Sequence, residues 1–287
     1  MNAAAHAGHH GHAGHEGHEG HIAAGGTGQS GHGEHAGHQG HAEHAGHAAP
    51  AFPGGLQITE DGYTLALAAT VLPAGRQELR FRILGPEGRP VRDLTPVHDK
   101  KIHLIIANRE LTGFWHLHPA EDAEGTWSAK VDLPEAGAYR VFTDFAPAAL
   151  GRTLTLGADL AVAGHYTPRP TPPPAAVFAV DGYEVTLDGE PAAGEGRQLR
   201  LTVSRGGEPV TDLQPYLAAY GHLVVLRAGD LAYVHVHPEG EPGDGVTEPG
   251  PSIAFHTQVP GPGTYRLFLD FKHEDTVRTA EFTVVAR

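Results

Sequence analysis

The chain has 287 residues, 34 of them acidic against 20 Lys plus Arg, for a net charge of −14 with histidine neutral. No basic stripe can track phosphates, which excludes nucleic acid as a partner, and no apolar run approaches the roughly 18 residues of a membrane span. Cysteine is absent and Met1 is the only methionine. Disulfides, thiolate nucleophiles and soft sulfur ligands are therefore out, and imidazole and carboxylate remain as the metal-binding groups.

Residues 1–50 are almost entirely Gly, Ala, His and a few Glu. With Ile22 as their one large aliphatic side chain they bury too little surface to offset the entropy of ordering, so disorder is expected. The segment opens without a basic n-region or an apolar h-region, so no signal peptide is expected and the chain as written reads as cytoplasmic. Of the chain's 23 histidines, 13 fall here. His6, His9, His12, His15, His18 and His21 recur every third residue, as do His32, His35, His38, His41, His44 and His47, with His10 in addition. Neutral imidazole suits Cu(II), Ni(II) and Zn(II), and small intervening residues let the chain wrap an ion without a preformed cage. Metal capture is the expected role. The competing readings are a low-complexity linker, a purification tag, or a proton-responsive polycation for an anionic surface or haem.

After the tail come two segments of about 110 residues, each a common domain size, at 51–163 and 177–287. Between them Gly164 to Ala176 (GHYTPRPTPPPAA) holds five prolines and reads as a semi-rigid extended linker. The two segments repeat each other. DGYTLAL from Asp61 matches DGYEVTL from Asp181, and RPVRDLTP from Arg89 matches EPVTDLQP from Glu208. HLIIANRELTGFWHLHP from His103 matches HLVVLRAGDLAYVHVHP from His222, and LPEAGAYRVFTDF from Leu133 matches VPGPGTYRLFLDF from Val259.

Leu79, Phe81 and Ile83 alternate with charged residues, and Leu199, Leu201 and Val203 repeat the pattern, which is the period of half-buried strands. Gly137 before Tyr139, and Gly263 before Tyr265, resemble the tyrosine corner of Greek-key sandwiches. Two tandem immunoglobulin-like β-sandwiches of about seven strands each are expected. Trp115, Trp127 and Phe114 are expected in the core.

In the first repeat the run from His103 reads as a strand, with a tight turn around Asn108 to Leu111 and a return strand through His116 and His118. Histidines two apart on a strand share a face, and His103 falls opposite one of them. His222, His235 and His237 reproduce the spacing. Asp144 and Asp270, on the strand after each tyrosine corner, are candidates to complete each set. One three-histidine site plus aspartate per domain is the expectation, against the alternative of histidines bonded to backbone carbonyls and aspartates capping turns. His98, His165, His256 and His273 have no counterpart in the other repeat and are left outside these sites.

The stretches Lys100–Pro119, Leu133–Pro147, Leu213–Leu223 and Asp230–Pro238 follow the patterns KxxHLIxxxxxLxxFWHLHP, LPxxGxYRVFxDFxP, LQPYLxAYGHL and DLAYVHVHP. Over Phe52 to Arg287 the chain resembles a group of bacterial tandem β-sandwich proteins of uncharacterised role. The resemblance implies an envelope or secreted location and a loose association with heavy-metal handling.

No catalytic residues are expected. The chain lacks a GxSxG elbow, a P-loop and a Rossmann fingerprint. Gly229, His235, His237 and Glu241 satisfy the front half of a cupin motif, but no glycine closes it, and Glu110 stands at the first glycine position in the other repeat. The expected function is transition-metal binding as a buffer, chaperone or resistance protein for Cu, Ni or Zn, with a metal transporter or acceptor protein as partner. The alternatives are a metal-dependent enzyme with cupin-like ligands and an interaction or adhesion module with structural histidines.

Overall fold

The computed structural model describes residues 52–287; the tail histidines His6 to His47 and the disorder expected there lie outside the described residues. The first repeat contributes β1 (Thr59–Glu60), β2 (Tyr63–Leu67), β3 (Val71–Pro73), β4 (Gly75–Leu84), β5 (Leu94–Thr95) and β6 (Ile102–Asn108). It continues with β7 (Phe114–Leu117), β8 (Ala120–Glu121), β9 (Trp127–Leu133), β10 (Gly137–Pro147) and β11 (Leu154–Ala163). The second contributes β12 (Val177–Val180), β13 (Tyr183–Asp188), β14 (Gly196–Arg205), β15 (Glu208–Pro209) and β16 (Gly221–Arg227). It ends with β17 (Tyr233–Val234), β18 (Val236–Pro238), β19 (Ser252–Gln258), β20 (Gly263–His273) and β21 (Thr276–Ala286). The strands beyond the expected seven per repeat are segments of two or three residues.

In the first repeat one sheet has the order β1-β2-β4-β9-β8 and the other β3-β11-β10-β6-β7, with β5 beside β10. In the second the orders are β12-β13-β14-β19-β18, with β15 beside β14, and β17-β16-β20-β21. Within each repeat the chain crosses repeatedly between the two sheets, the Greek-key order of an immunoglobulin-like sandwich. Both tyrosine corners are present: Tyr139 donates to the Glu135 carbonyl and Tyr265 to the Gly261 carbonyl, each at 2.7 Å.

Alternation explains the outer sheets. On β4 the side chains of Leu79, Phe81 and Ile83 are buried while Arg80 and Arg82 are exposed, so one face meets the core and the other meets water. The strands β6 and β10 behave differently. Every residue of β6 is buried, as are seven successive residues of β10 from Val141 to Pro147. Ile102, Leu104 and Ile106 point into the core of the first sandwich with Val141 and Phe145. Ile105, Ala107 and Phe142 point the other way, into a third apolar cluster shared with Val224, Leu226, Leu231, Tyr233 and Phe268 of the second repeat.

The two sandwiches therefore pack face to face through the sheets containing β6 and β16, beyond what their proline-rich connection suggests. The contacts are reciprocal in the manner of an isologous interface. Phe114 stacks on Phe268 with ring centroids 4.1 Å apart, and Tyr233, which matches Phe114, lies 5.8 Å from Phe142, which matches Phe268. Phe114 thus belongs to this shared cluster, while Trp127 is buried in the core of the first sandwich and Trp115 packs against its edge. Arg266, itself 2 % exposed, donates from Nε to the Leu111 carbonyl across the interface at 2.9 Å. The connecting segment lies along the first repeat, where Tyr166 donates to Glu110 and Arg169 pairs with Glu135. Among the described residues every strand and all three apolar clusters lie within residues 59–286, so a chain starting at Ala51 keeps all of them.

Because the shared cluster buries apolar side chains from both repeats, the two sandwiches are expected to unfold together. Phe268→Ala should cost about 3–5 kcal/mol, as large-to-small changes at buried aromatics do. Calorimetry of the parent should show one transition, and two resolved transitions would contradict a shared core.

Candidate metal centre

The same packing that buries Ile105 and Phe142 also decides where the histidines go. His103 shares the outward face of β6 with Ile105, and Asp144 lies directly across from it on β10. On the hairpin strand β7, His116 is opposite Ile105, which puts His118, two residues on, at the level of His103. One nitrogen from each of His103, His116 and His118 lies within 4.8 Å of the others. The first repeat thus brings together the three histidines that its sequence spacing selects.

The second repeat does not. Asp270 lies across from His222, as expected of neighbouring strands. The hairpin, however, pairs only as far as Val225 with Val234, after which the chain crosses to the other sheet and His237 pairs with His256 on β19. In the first repeat the corresponding pairing continues two residues further, through Leu104 with Leu117. The earlier crossover in the second repeat draws His235 and His237 away from His222, and among the described residues the group of three occurs once. His222 instead joins the first group, with its ring stacked at 5.2 Å on His103 and 4.8 Å from His116.

The aspartates also cross. Asp270 accepts from Thr279, opposite it on β21, at 2.6 Å, and its other oxygen meets Nδ1 of His116 in the first repeat at 2.8 Å. Asp144 accepts from Thr155, opposite it on β11, at 2.8 Å, and its other oxygen faces Nε2 of His235 in the second repeat at 3.9 Å. Each carboxylate is thus held by a threonine of its own repeat and directed at a histidine of the other. The expected grouping of Asp144 with the first trio and Asp270 with the second is replaced by an exchange.

His98 matches Leu217 in the other repeat. Both sit in left-handed backbone, with φ of 47° and 57°, in turns closed by Val97 with Lys100 and by Tyr216 with Ala219. The turn is duplicated and its side chain is not, so a search for positions kept in both copies discards it. Its ring lies 5.4 Å from His222 and 6.1 Å from His103. His273 serves structure, bridging Tyr183 at 2.7 Å and Asp212 at 3.0 Å.

Hydrogen bonding fixes the tautomers. The Val97 carbonyl lies 2.8 Å from Nε2 of His103, so that nitrogen donates and Nδ1 keeps its lone pair. The Asp270 carboxylate takes the proton of His116 Nδ1, so Nε2 of His116 keeps its lone pair. These two nitrogens face each other at 3.1 Å. Nε2 of His118 is buried without a partner. The facing lone pairs of His103 and His116 repel one another unless a cation sits between them, and a ring nitrogen of His118 lies close enough to share it. A metal ion answers all three, since two nitrogens bound to one tetrahedral ion at about 2.0–2.1 Å stand about 3.3 Å apart.

Burial keeps the surrounding imidazoles neutral. It lowers His103 to about 4 and His118 to about 3, with neighbouring histidines adding to the effect, and it holds His222 well below its ordinary value. Tyr216, whose ring lies 6.2 Å from His118, is pushed up to about 12 by burial and by Asp270. Neutral imidazole is the form that binds metal.

Two segments of the chain, 58–163 and 178–287, match the model of one family, described as Domain of unknown function (DUF8832). The chain belongs to this family. Each sandwich is one copy of its domain, so the duplication read from the sequence is a tandem repeat of a single domain type. No curated protein matches the chain. Among solved structures it is similar to a chimeric titin Z1Z2 tandem carrying a GRGDS peptide, at 11 % identity and TM-score 0.20, covering 78 % of this chain and 98 % of that one. It is also similar to the D0-D1 domain of intimin, at 10 % identity and TM-score 0.21, covering 77 % and 96 %. Against Escherichia coli alpha-2-macroglobulin the identity is 13 % and the TM-score 0.25, over 80 % of this chain and 22 % of that one. No helix among the described residues is long and apolar enough to cross a membrane.

The lowered histidines set a pH dependence in the metal-free protein. Below about 6.5 the unfolded chain takes up protons that the folded chain refuses, so stability is level above that pH and declines below it. The decline ends only where the folded groups themselves titrate, near 4 for His103. Each imidazole held neutral should remove about 1.4 kcal/mol per pH unit, which in a unit this large is about 2–4 °C of melting temperature per kcal/mol. Calorimetry in chelator between pH 7.5 and 5 checks this, and a melting point flat across that range would contradict the neutral cluster.

Proposed function

We propose that the protein binds a divalent transition metal at the interface between its two sandwiches, as a metal buffer, chaperone or resistance protein and not as an enzyme. The observation that carries the reading is the convergence of ring nitrogens of His103, His116 and His118, together with the buried Nε2 of His118 that has no hydrogen-bond partner. Asp270 supports it by bonding the far nitrogen of His116, the carboxylate–histidine–metal relay that fixes ring orientation and raises ligand basicity. With nitrogen donors and no sulfur, the ion is Cu(II), Ni(II) or Zn(II). The thirteen tail histidines add capture sites of low selectivity, and the buried centre holds its ion in fixed geometry for a transporter or acceptor protein to receive.

Metal that binds only the folded form stabilises it by about 2.7 kcal/mol at a hundredfold excess over Kd. A chain starting at Ala51 should then melt about 5–10 °C higher in saturating Zn(II). The double variant His116→Ala/His118→Ala should lose that shift. A parent whose melting point ignores Cu(II), Ni(II) and Zn(II) alike would refute the buried centre.

The tail is tested separately. Full-length protein should bind several more Ni(II) ions than the chain starting at Ala51, because thirteen imidazoles are removed. Equal stoichiometry would refute tail capture.

A further inference from the structure

Matching arginines on β10 and β20 are answered differently in the two repeats. Arg266 is paired with Glu281, which lies opposite Phe268 on β21. The position opposite Phe142 on β11 is Gly157, so Arg140 has only the exposed Asp159 as a carboxylate partner. Its guanidinium turns to main chain ahead of β1. Nε donates to the Gly55 carbonyl at 2.8 Å and a terminal nitrogen to the Leu56 carbonyl at 2.9 Å. Glycine at 157 admits this segment, because a side chain there would drive its Cβ into the Gly55 carbonyl.

The same segment is bonded to both repeats. β3 pairs with β11 only at Ala161–Ala163. Further along β11 the Gly55 N–H donates to the Thr155 carbonyl and the Gly157 N–H to the Gln57 carbonyl, each at 2.8 Å. The Gly54 carbonyl accepts from the Tyr233 N–H at 2.9 Å, on β17 at the end of its sheet in the second repeat. Gly55 has a φ of 73°, and a Cβ on it would lie 2.5 Å from Cδ1 of Phe142, so the fit demands glycine. Residues 52–57 lie outside both copies of the family domain and contribute no strand to either sandwich.

We infer that residues 52–57 are a clasp that holds the two sandwiches closed on each other, seated in a main-chain recognition site built by Arg140, Thr155, Gly157 and Tyr233. Main-chain bonds supply the hold, as where an extended segment adds to a sheet edge, and the close approach at Gly55 supplies the selectivity. Thr155 carries the clasp's effect to the polar end of the interface: its carbonyl takes the Gly55 N–H, and its hydroxyl donates to Asp144. The clasp stands independently of the metal-binding reading.

Amide hydrogen exchange of the full-length protein in chelator tests it. Gly157→Glu gives Arg140 the carboxylate that Arg266 has and evicts the clasp. Gly55→Ala blocks seating from the clasp side, and because it lies outside both sandwiches it decides the matter where Gly157→Glu folds poorly. In each variant the amides of Gly55 and Tyr233 should exchange about tenfold or more faster than in the parent, and by a larger factor than the amides of β4 and β14 in the outer sheets. A Tyr233 amide that keeps the parent's rate in Gly55→Ala overturns the clasp. Equal acceleration at Tyr233 and throughout β4 and β14 also overturns it, since the segment would then support the fold as a whole and not the closure between repeats.

Discussion

Burial of both faces of β6 and β10, and of their counterparts β16 and β20, is the constraint on which the rest of the molecule depends. A β-sandwich needs only one face of each sheet covered, and the solvent face normally carries polar side chains. Here the outward faces carry Ile105, Ala107 and Phe142 on one repeat and Val224, Leu226 and Phe268 on the other. Leaving that surface in water would forgo about 1.5–3 kcal/mol for each large apolar side chain. Face-to-face packing recovers it, and in doing so takes every other residue on those faces out of water as well.

The polar residues that share these faces must then find partners within the interface. His103 and Asp144 lie one step along the same face from Ile105 and Phe142, and His222 and Asp270 occupy the same position in the second repeat. A buried carboxylate is tolerated only when hydrogen-bonded or paired. Each aspartate takes one bond from the threonine opposite it and directs its second oxygen across the interface at a histidine. The apolar cluster and the histidine centre are therefore one structure, in which packing sets the geometry that the donor atoms then use.

Duplication alone does not make the two ends equivalent. The hairpin of the first repeat keeps its pairing through Leu117, while that of the second leaves its sheet after Val234. A difference of two residues in where the strand crosses converts one set of three histidines into a compact buried group and leaves the other spread towards solvent. Near-identical motifs thus acquire different surroundings: a compact group of three histidines at one end, and a partly exposed His235 facing Asp144 at the other.

Much of this was legible in the sequence, for reasons that are local. Alternation along Leu79, Phe81 and Ile83 specifies a strand with one buried face, because side chains alternate sides with period two. The glycine and tyrosine at 137 and 139, and at 263 and 265, specify the corner, and the spacing of His103, His116 and His118 places them on one face of a hairpin. Even the double burial left a trace: IHLIIAN is continuously apolar around one histidine, where a half-exposed strand alternates. What the sequence could not determine is which surface covers that second face. A repeat shows that two domains are alike, but it does not show how they meet, because the contacts join residues more than a hundred positions apart through complementarity of shape. Only the tertiary structure decided that Asp270 serves His116 and Asp144 faces His235, that His222 joins the histidines of the other repeat, and that the unmatched His98 lies beside them.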